Sequence, residues 1–110
     1  MVRDGAAGAG SGTRVPRSVV ALSRQERRDA ARDRATREFG DGAEPALDLM
    51  ELLELAWHDS HGDVVPPAEV LEDVWLLAAG DLGRLASASR LAVTDRRDLR
   101  QAADEVRAVV

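Results

Sequence analysis

The chain has 110 residues, no Cys and a formal net charge of −5 at pH 7. This length fits a single domain, and the missing Cys excludes disulfides, thiolate nucleophiles and zinc sites that depend on Cys ligands. The N-terminal residues lead into Gly and Ala, and no apolar run is long enough to cross a membrane. We therefore expect a cytoplasmic protein that does not associate with membranes.

The N-terminal part is predicted to contain a tail followed by a charged helix. Residues 1–22 begin with a Gly-rich stretch that has few large apolar side chains, so burial cannot offset the entropy of ordering and a disordered tail is expected. Residues 23–26, Ser-Arg-Gln-Glu, have the form of a capping box, and Gly40 is a stop signal after Phe39. Residues 23–40 should thus form an Arg-rich helix. Its apolar residues are mostly Ala, so we expect it to be loosely attached.

Two further helices are predicted from the positions of Pro and Gly. Pro45 marks the start of the second helix, which should reach about His58, and Pro66 and Pro67 start a third, which should end at Gly80. On a helical wheel the core face of the second helix comprises Leu49, Met50, Leu52, Leu53, Ala56 and Trp57. A polar stripe opposite contains Glu51, Glu54 and His58. The third helix has a core face of Val70, Leu71, Val74, Leu77 and Ala78 with Trp75 at its edge, and a polar side of Glu69, Glu72 and Asp73.

The last segment, residues 82–109, has no Pro, and Asp81 is suited to cap its start. Residues at successive heptad a and d positions favour one long helix. They are Leu82, Leu85, Ser89, Ala92, Arg96, Leu99, Ala103, Val106 and Val110. Several are small or charged, however, and Thr94 with Asp95 could cap a new helix, so two helices remain the alternative.

Together these elements predict an all-α fold. Residues 41–110 should form a small antiparallel bundle of three main helices, the last long or kinked near Thr94, preceded by the tail and the charged helix. Residues 1–40 contain nine Arg and five acids, whereas residues 41–110 contain six Arg and fifteen acids. A basic arm thus precedes an acidic bundle. Because so small a bundle buries a marginal core, we expect self-association, such as a homodimer, to supplement it.

The densest group of candidate metal ligands is at the end of the second helix. Glu54, His58 and His61 follow helical spacing, and two His with a carboxylate can hold a divalent metal. A Glu–His pair at a helix C-terminus also has a structural explanation, because the helix dipole favours a His cation there. We favour that explanation and expect no metal or other cofactor.

Residue types of a hydrolase triad occur together in Ser60, His61 and Asp63. Members of a triad must converge in space beside an oxyanion hole, and residues of one turn rarely do so. No Gly-rich phosphate loop is present either. The sequence therefore predicts no catalytic residues and a protein that is not an enzyme.

The Arg-rich helix is the candidate for nucleic-acid binding. Its guanidinium groups could contact phosphates, and they belong to Arg24, Arg27, Arg28, Arg32, Arg34 and Arg37. Acidic residues are interleaved with them, no aromatic platform accompanies them, and the chain has Arg but no Lys, Ile, Asn or Tyr, as expected of a GC-rich genome. A nucleic-acid-associated accessory protein is thus the second hypothesis.

Protein binding is the leading hypothesis. Leu76 and Leu91 fall on otherwise polar helix faces, and exposed apolar residues become informative when they form a patch. We therefore expect a non-enzymatic helical interaction module that binds another protein or itself through these residues. A neighbouring helix, the N-terminal arm or a dimer mate could equally cover them.

Overall fold

The computed structural model describes residues 22–109, which form five α-helices. Helix α1 spans Arg24–Phe39, α2 spans Ala43–His61, α3 spans Ala68–Ala78, α4 spans Leu82–Thr94 and α5 spans Arg96–Ala108. A short 3-10 turn joins α1 to α2. Within residues 22–109 no strand occurs, and no helix is both long and apolar enough to cross a membrane. The all-α prediction is confirmed, whereas the predicted tail, apart from Leu22, lies outside the described residues.

Two apolar clusters hold the helices together through the hydrophobic effect. The larger draws buried residues from α2, α3, α4 and α5: Ala46, Leu53, Trp57, Val70, Val74, Ala78, Leu85, Ala88, Ala92 and Leu99. The smaller joins α1 to α2 and α3 through Ala35, Ala43, Leu47 and Trp75. Helix α1 therefore packs on one side of the bundle and contacts the larger cluster through Phe39, at its C-terminal end.

The predicted core face of α2 is correct only in part. Leu53 and Trp57 are buried, but Leu52 is 59% exposed, so its assignment to the core is wrong. The wheel assumed one neighbouring helix, whereas α2 contacts both α1 and α4. As a result the predicted polar stripe faces α1, and the side carrying Leu52 faces solvent.

The helical segment after Gly80 is broken at Asp95, so the favoured continuous helix is wrong and the alternative of two helices is correct. Asp95 has φ −159° and ψ 83°, and its side chain accepts a hydrogen bond from the Asp98 N–H, as an N-cap does. Of the predicted heptad positions, Leu85 and Ala92 of α4 and Leu99 and Ala103 of α5 are nevertheless buried, whereas Arg96 is exposed. Helix α5 packs against α3 and α4, so its buried heptad residues contact the core from a different side than those of α4 do.

The C-terminal end of α1 is fixed by a close backbone contact. Helix α3 is followed by Ala79 and Gly80, which are both left-handed, with φ of 48° and 79°. Gly80 approaches the Glu38 carbonyl oxygen so closely that a Cβ at this position would overlap it. Beside this contact the Phe39 ring meets the Trp75 ring edge-on, with centroids 6.0 Å apart. The turn between α3 and α4 thus anchors α1.

Candidate interaction surface on helices α1 and α2

Arginines of α1 lie along the acidic stripe of α2. Arg27 donates hydrogen bonds to both carboxylate oxygens of Glu54, at 2.8 and 2.9 Å. Arg28 donates to Glu51 at 2.7 Å and to Asp48 at 2.9 Å. These hydrogen bonds raise the pKa of both guanidinium groups, with Glu54 the main cause for Arg27 and Glu51 for Arg28. The prediction that α1 is loosely attached considers only its apolar side chains. It does not include these charged pairs, which also attach α1 to α2.

Two further arginines of α1 also bind acidic groups. Arg32 pairs with Glu44 at the start of α2. Arg34 donates to Glu38 at 2.8 Å and to Glu72 of α3 at 2.6 Å, and its guanidinium lies 4.9 Å from the centre of the Trp75 ring. Cation–π contacts of this kind add to the attraction. Most of the basic face proposed for nucleic acid is thus occupied within the protein.

Of the six candidate arginines, only Arg24 and Arg37 form no ion pair with any residue in the range 22–109. Both are exposed. They lie thirteen positions apart in α1, toward opposite ends of the helix. Within the described part of the chain, α1 therefore does not present a continuous row of unpaired positive charges.

The attachment of α1 predicts a pH dependence at Glu44. The pKa of this carboxyl lies below its ordinary value of 4.5, chiefly because Arg28 donates a hydrogen bond to it. A depressed pKa adds stability above the unfolded-state pKa, and this stability is lost as pH falls through the folded-state pKa. We expect Glu44→Gln to lower the urea midpoint at pH 7 and to lower it by less at about pH 3, where more of the parent carboxyl is protonated. Glu105→Gln, which removes an exposed carboxyl that forms no ion pair with a described residue, is the control. A difference at Glu44 that is equal at both pH values would contradict the prediction.

The three candidate metal ligands are directed to different partners. Glu54 is held by Arg27, the His58 Nδ1 atom lies 3.3 Å from the Asp63 carbonyl oxygen, and the His61 ring lies 4.0 Å from the Trp57 ring, centroid to centroid. No group of three His, Cys, Asp or Glu side chains in residues 22–109 could hold a metal ion. The structure therefore does not bring the three candidates together.

The predicted partner-binding residues lie elsewhere than the most exposed apolar side chains. Leu76 and Leu91 are both half-buried, and Leu91 packs against the main core. Apart from Val109, which follows α5, the exposed large apolar residues in the described part of the chain are instead Leu52, Leu55 and Val64. We call these three residues the α2 apolar patch. The wheel missed the patch because it placed Leu52 in the core.

The α2 apolar patch is contiguous. Leu52 and Leu55 are three positions apart on one helix, so their side chains are neighbours. Leu55 and Val64 line the same shallow cavity, of about 200 Å³, between the end of α2 and the start of α1. Arg24 and His58 line that cavity as well, which places polar groups at the margin of the patch.

A second feature missed by the sequence analysis is a buried acid at the α3–α5 contact. Asp73 was assigned to the polar side of α3, yet it is only 2% exposed. Arg107 of α5 donates a hydrogen bond to it at 2.6 Å, and Arg100 lies 3.5 Å away. The hydrogen bond with Asp73 raises the pKa of Arg107. Because α5 packs on the polar side of α3, the carboxylate of Asp73 is paired with arginines of α5 instead of being solvated.

Asp73 also lines an open groove of about 840 Å³ between α3 and α5, whose walls carry both acids and arginines. No hydrogen bond joins Ser60, His61 and Asp63 to one another in the described part of the chain. The arrangement that the described residues do form is an apolar patch beside charged groups, which can contact another macromolecule. Comparisons with protein-family models, curated proteins and solved structures gave no match from which a family could be assigned.

Proposed function

We propose that this chain is a small non-catalytic helical interaction module that binds another protein, or a second copy of itself, through the α2 apolar patch. The observation that carries the proposal is the exposure of three large apolar side chains, which belong to Leu52 and Leu55 of α2 and to Val64 in the connection to α3. Scattered apolar residues need no explanation, but a contiguous patch favours an interaction site.

The surroundings of the patch support this proposal. Asp48 and Asp59 flank it on the same side of α2, and both are exposed. Arg24 and His58 lie on the side toward α1. An apolar centre with a charged rim is the usual anatomy of a protein–protein interface. The rim would orient a partner while the apolar centre supplies most of the free energy of binding.

The nucleic-acid alternative is not developed further, because four of its six arginines already pair with acids of the same chain. Binding phosphate at those positions would require breaking several charge-assisted hydrogen bonds first. The excess of acidic residues would also repel the phosphates.

Replacing Leu52 and Leu55 together with Ser should weaken association about tenfold or more, since two large side chains at the centre of an interface contribute much of its affinity. Sedimentation velocity measures self-association, and capture by the tagged full-length chain followed by titration of each recovered partner measures binding to other proteins. Helicity should be unchanged, because both side chains are exposed.

Val109→Ser is the matched control, because Val109 is also a large apolar residue, 85% exposed, but lies at the end of the chain outside the patch. It should leave association unchanged. Leu91→Ser is less informative, since Leu91 packs against the core and its loss would also reduce stability. Association that survives the Leu52 and Leu55 changes would contradict the proposed surface, and Leu76→Ser would then test the other half-buried leucine.

A further inference from the structure

A second cavity, of about 260 Å³, lies beneath the N-terminal half of α1, between α1, α2 and α3. We call it the α1 cavity. Glu51 and Glu54 line it with their carboxylates paired to arginines of α1. The rest of its wall is largely apolar and is formed by Leu22, Ala30, Ala31, Leu47, Met50, Leu71 and Trp75. It is distinct from the α2 apolar patch, none of whose residues lines it.

The side chains of α1 explain why the space exists. At its C-terminal end α1 is packed through Ala35, which is fully buried, and through Phe39, which contacts Trp75. Toward the N-terminus the inward residue is Ala31, which packs against the smaller apolar cluster but is too small to fill the space beside it. The ion pairs of Arg27 and Arg28 hold α1 at this distance. The cavity is therefore built into the way α1 is attached.

Four arginines line the cavity, and they differ in whether they form ion pairs with described residues. Arg27, Arg28 and Arg34 each bind acids of α1, α2 or α3. Arg24 lines the cavity but forms no ion pair with a described residue. A single guanidinium at the mouth of an apolar space thus remains able to bind one external carboxylate.

We propose that the α1 cavity binds a medium-chain alkyl carboxylate, with the alkyl chain between Ala31 and Trp75 and the carboxylate bound by Arg24. Pockets for drug-sized ligands typically measure about 300–1,000 Å³. A cavity of about 260 Å³ therefore fits a smaller, slender molecule. The positive charge at the mouth selects an anion, and the apolar wall selects an alkyl chain over a sugar or a phosphate ester.

The test is calorimetric titration of the full-length chain with octanoate, kept below the concentration at which it forms micelles. Octanol and octylammonium carry the same alkyl chain with no charge and with the opposite charge. We expect octanoate to bind most tightly and octylammonium least. Hexanoate should bind about fifteenfold more weakly than octanoate, since each buried CH₂ contributes about fourfold in affinity.

Substitutions on α1 locate the site. Ala31→Leu fills the cavity with a residue that favours helix and should abolish binding while helicity is retained. Arg24→Gln should weaken octanoate about fivefold and leave octanol unchanged. Arg37→Gln is the matched control, because Arg37 of α1 likewise forms no ion pair within residues 22–109 and does not line the cavity. It should change nothing.

Three results would overturn the proposal. In the first, octanoate, octanol and octylammonium bind equally, which would indicate non-specific apolar association. In the second, Ala31→Leu retains binding, so the site is elsewhere. In the third, octanoate binds only after Val19 and Val20 are replaced with Ser. The natural occupant of the cavity would then be the part of the chain that precedes α1. Replacing Leu52 and Leu55 should not affect octanoate, which distinguishes the cavity from the proposed protein-binding surface although Arg24 borders both.

Discussion

Gly80→Ala is expected to lower the free energy of unfolding by about 3 kcal/mol, the sum of a backbone cost and a steric cost. Gly80 has φ of 79°, a conformation that disfavours any residue with a Cβ. The added methyl would also overlap the carbonyl oxygen of Glu38, which is backbone and cannot rotate away. The end of α1 would have to move from the α3–α4 turn. Urea unfolding followed by circular dichroism measures the change.

Gly62→Ala separates the two costs. Gly62, which follows α2, is left-handed with φ of 80°, close to the 79° of Gly80, but no atom lies within 4 Å of the place where its Cβ would be. This substitution should therefore cost only about 1 kcal/mol, the backbone part alone. Equal losses at Gly80 and Gly62 would show that the overlap with the Glu38 carbonyl oxygen adds nothing to the cost.

Replacing Arg100 and Arg107 together with Ala should destabilise the protein by about 3 kcal/mol, because the buried Asp73 carboxylate would lose both of its cations. This value is at the lower end for breaking a buried pair, since the two arginine side chains are themselves 44% and 40% exposed and water can partly replace them. Chemical denaturation at neutral pH measures the loss. Helix α5 should separate first, because these pairs join it to α3.

A third substitution tests whether the unpaired charge is the cause. Adding Asp73→Leu to the double variant removes the buried carboxylate and fills its space with an apolar side chain, which should restore most of the lost stability. Arg84→Ala and Arg90→Ala are controls, since both side chains are exposed and neither forms an ion pair with a described residue. If the triple variant is as unstable as the double variant, the loss comes from the packing of the arginine stems instead.

The helix boundaries were largely predictable because local residues determine them. The capping box starts α1 where expected, and Gly80 follows the end of α3. The break at Asp95 is only the alternative prediction from the sequence. A heptad repeat indicates which side of a helix is apolar, but it does not indicate which neighbouring helix that side contacts. Whether α5 continues α4 or folds onto α3 depends on contacts distant in sequence.

The faces of the helices were less predictable. A wheel identifies one apolar side, but α2 has two neighbours, so Leu52 is exposed although it borders that side. Asp73 is buried for the same reason: α5 packs on the charged side of α3. One signal was present in the sequence. Arg100 and Arg107 are seven residues apart and therefore share a helix face, which could have indicated an acid on the facing helix.

In the ion pairs that join α1 to α2, every positively charged side chain is an arginine, and the chain has no lysine. Enzymes and reagents that neutralise lysine ammonium groups, such as acetylating ones, therefore cannot release α1 from α2. Arginine also keeps its charge in alkaline solution, where lysine would begin to lose a proton. Methylation of Arg27 is the modification that would act here, because it leaves the charge in place but blocks the paired donation to Glu54.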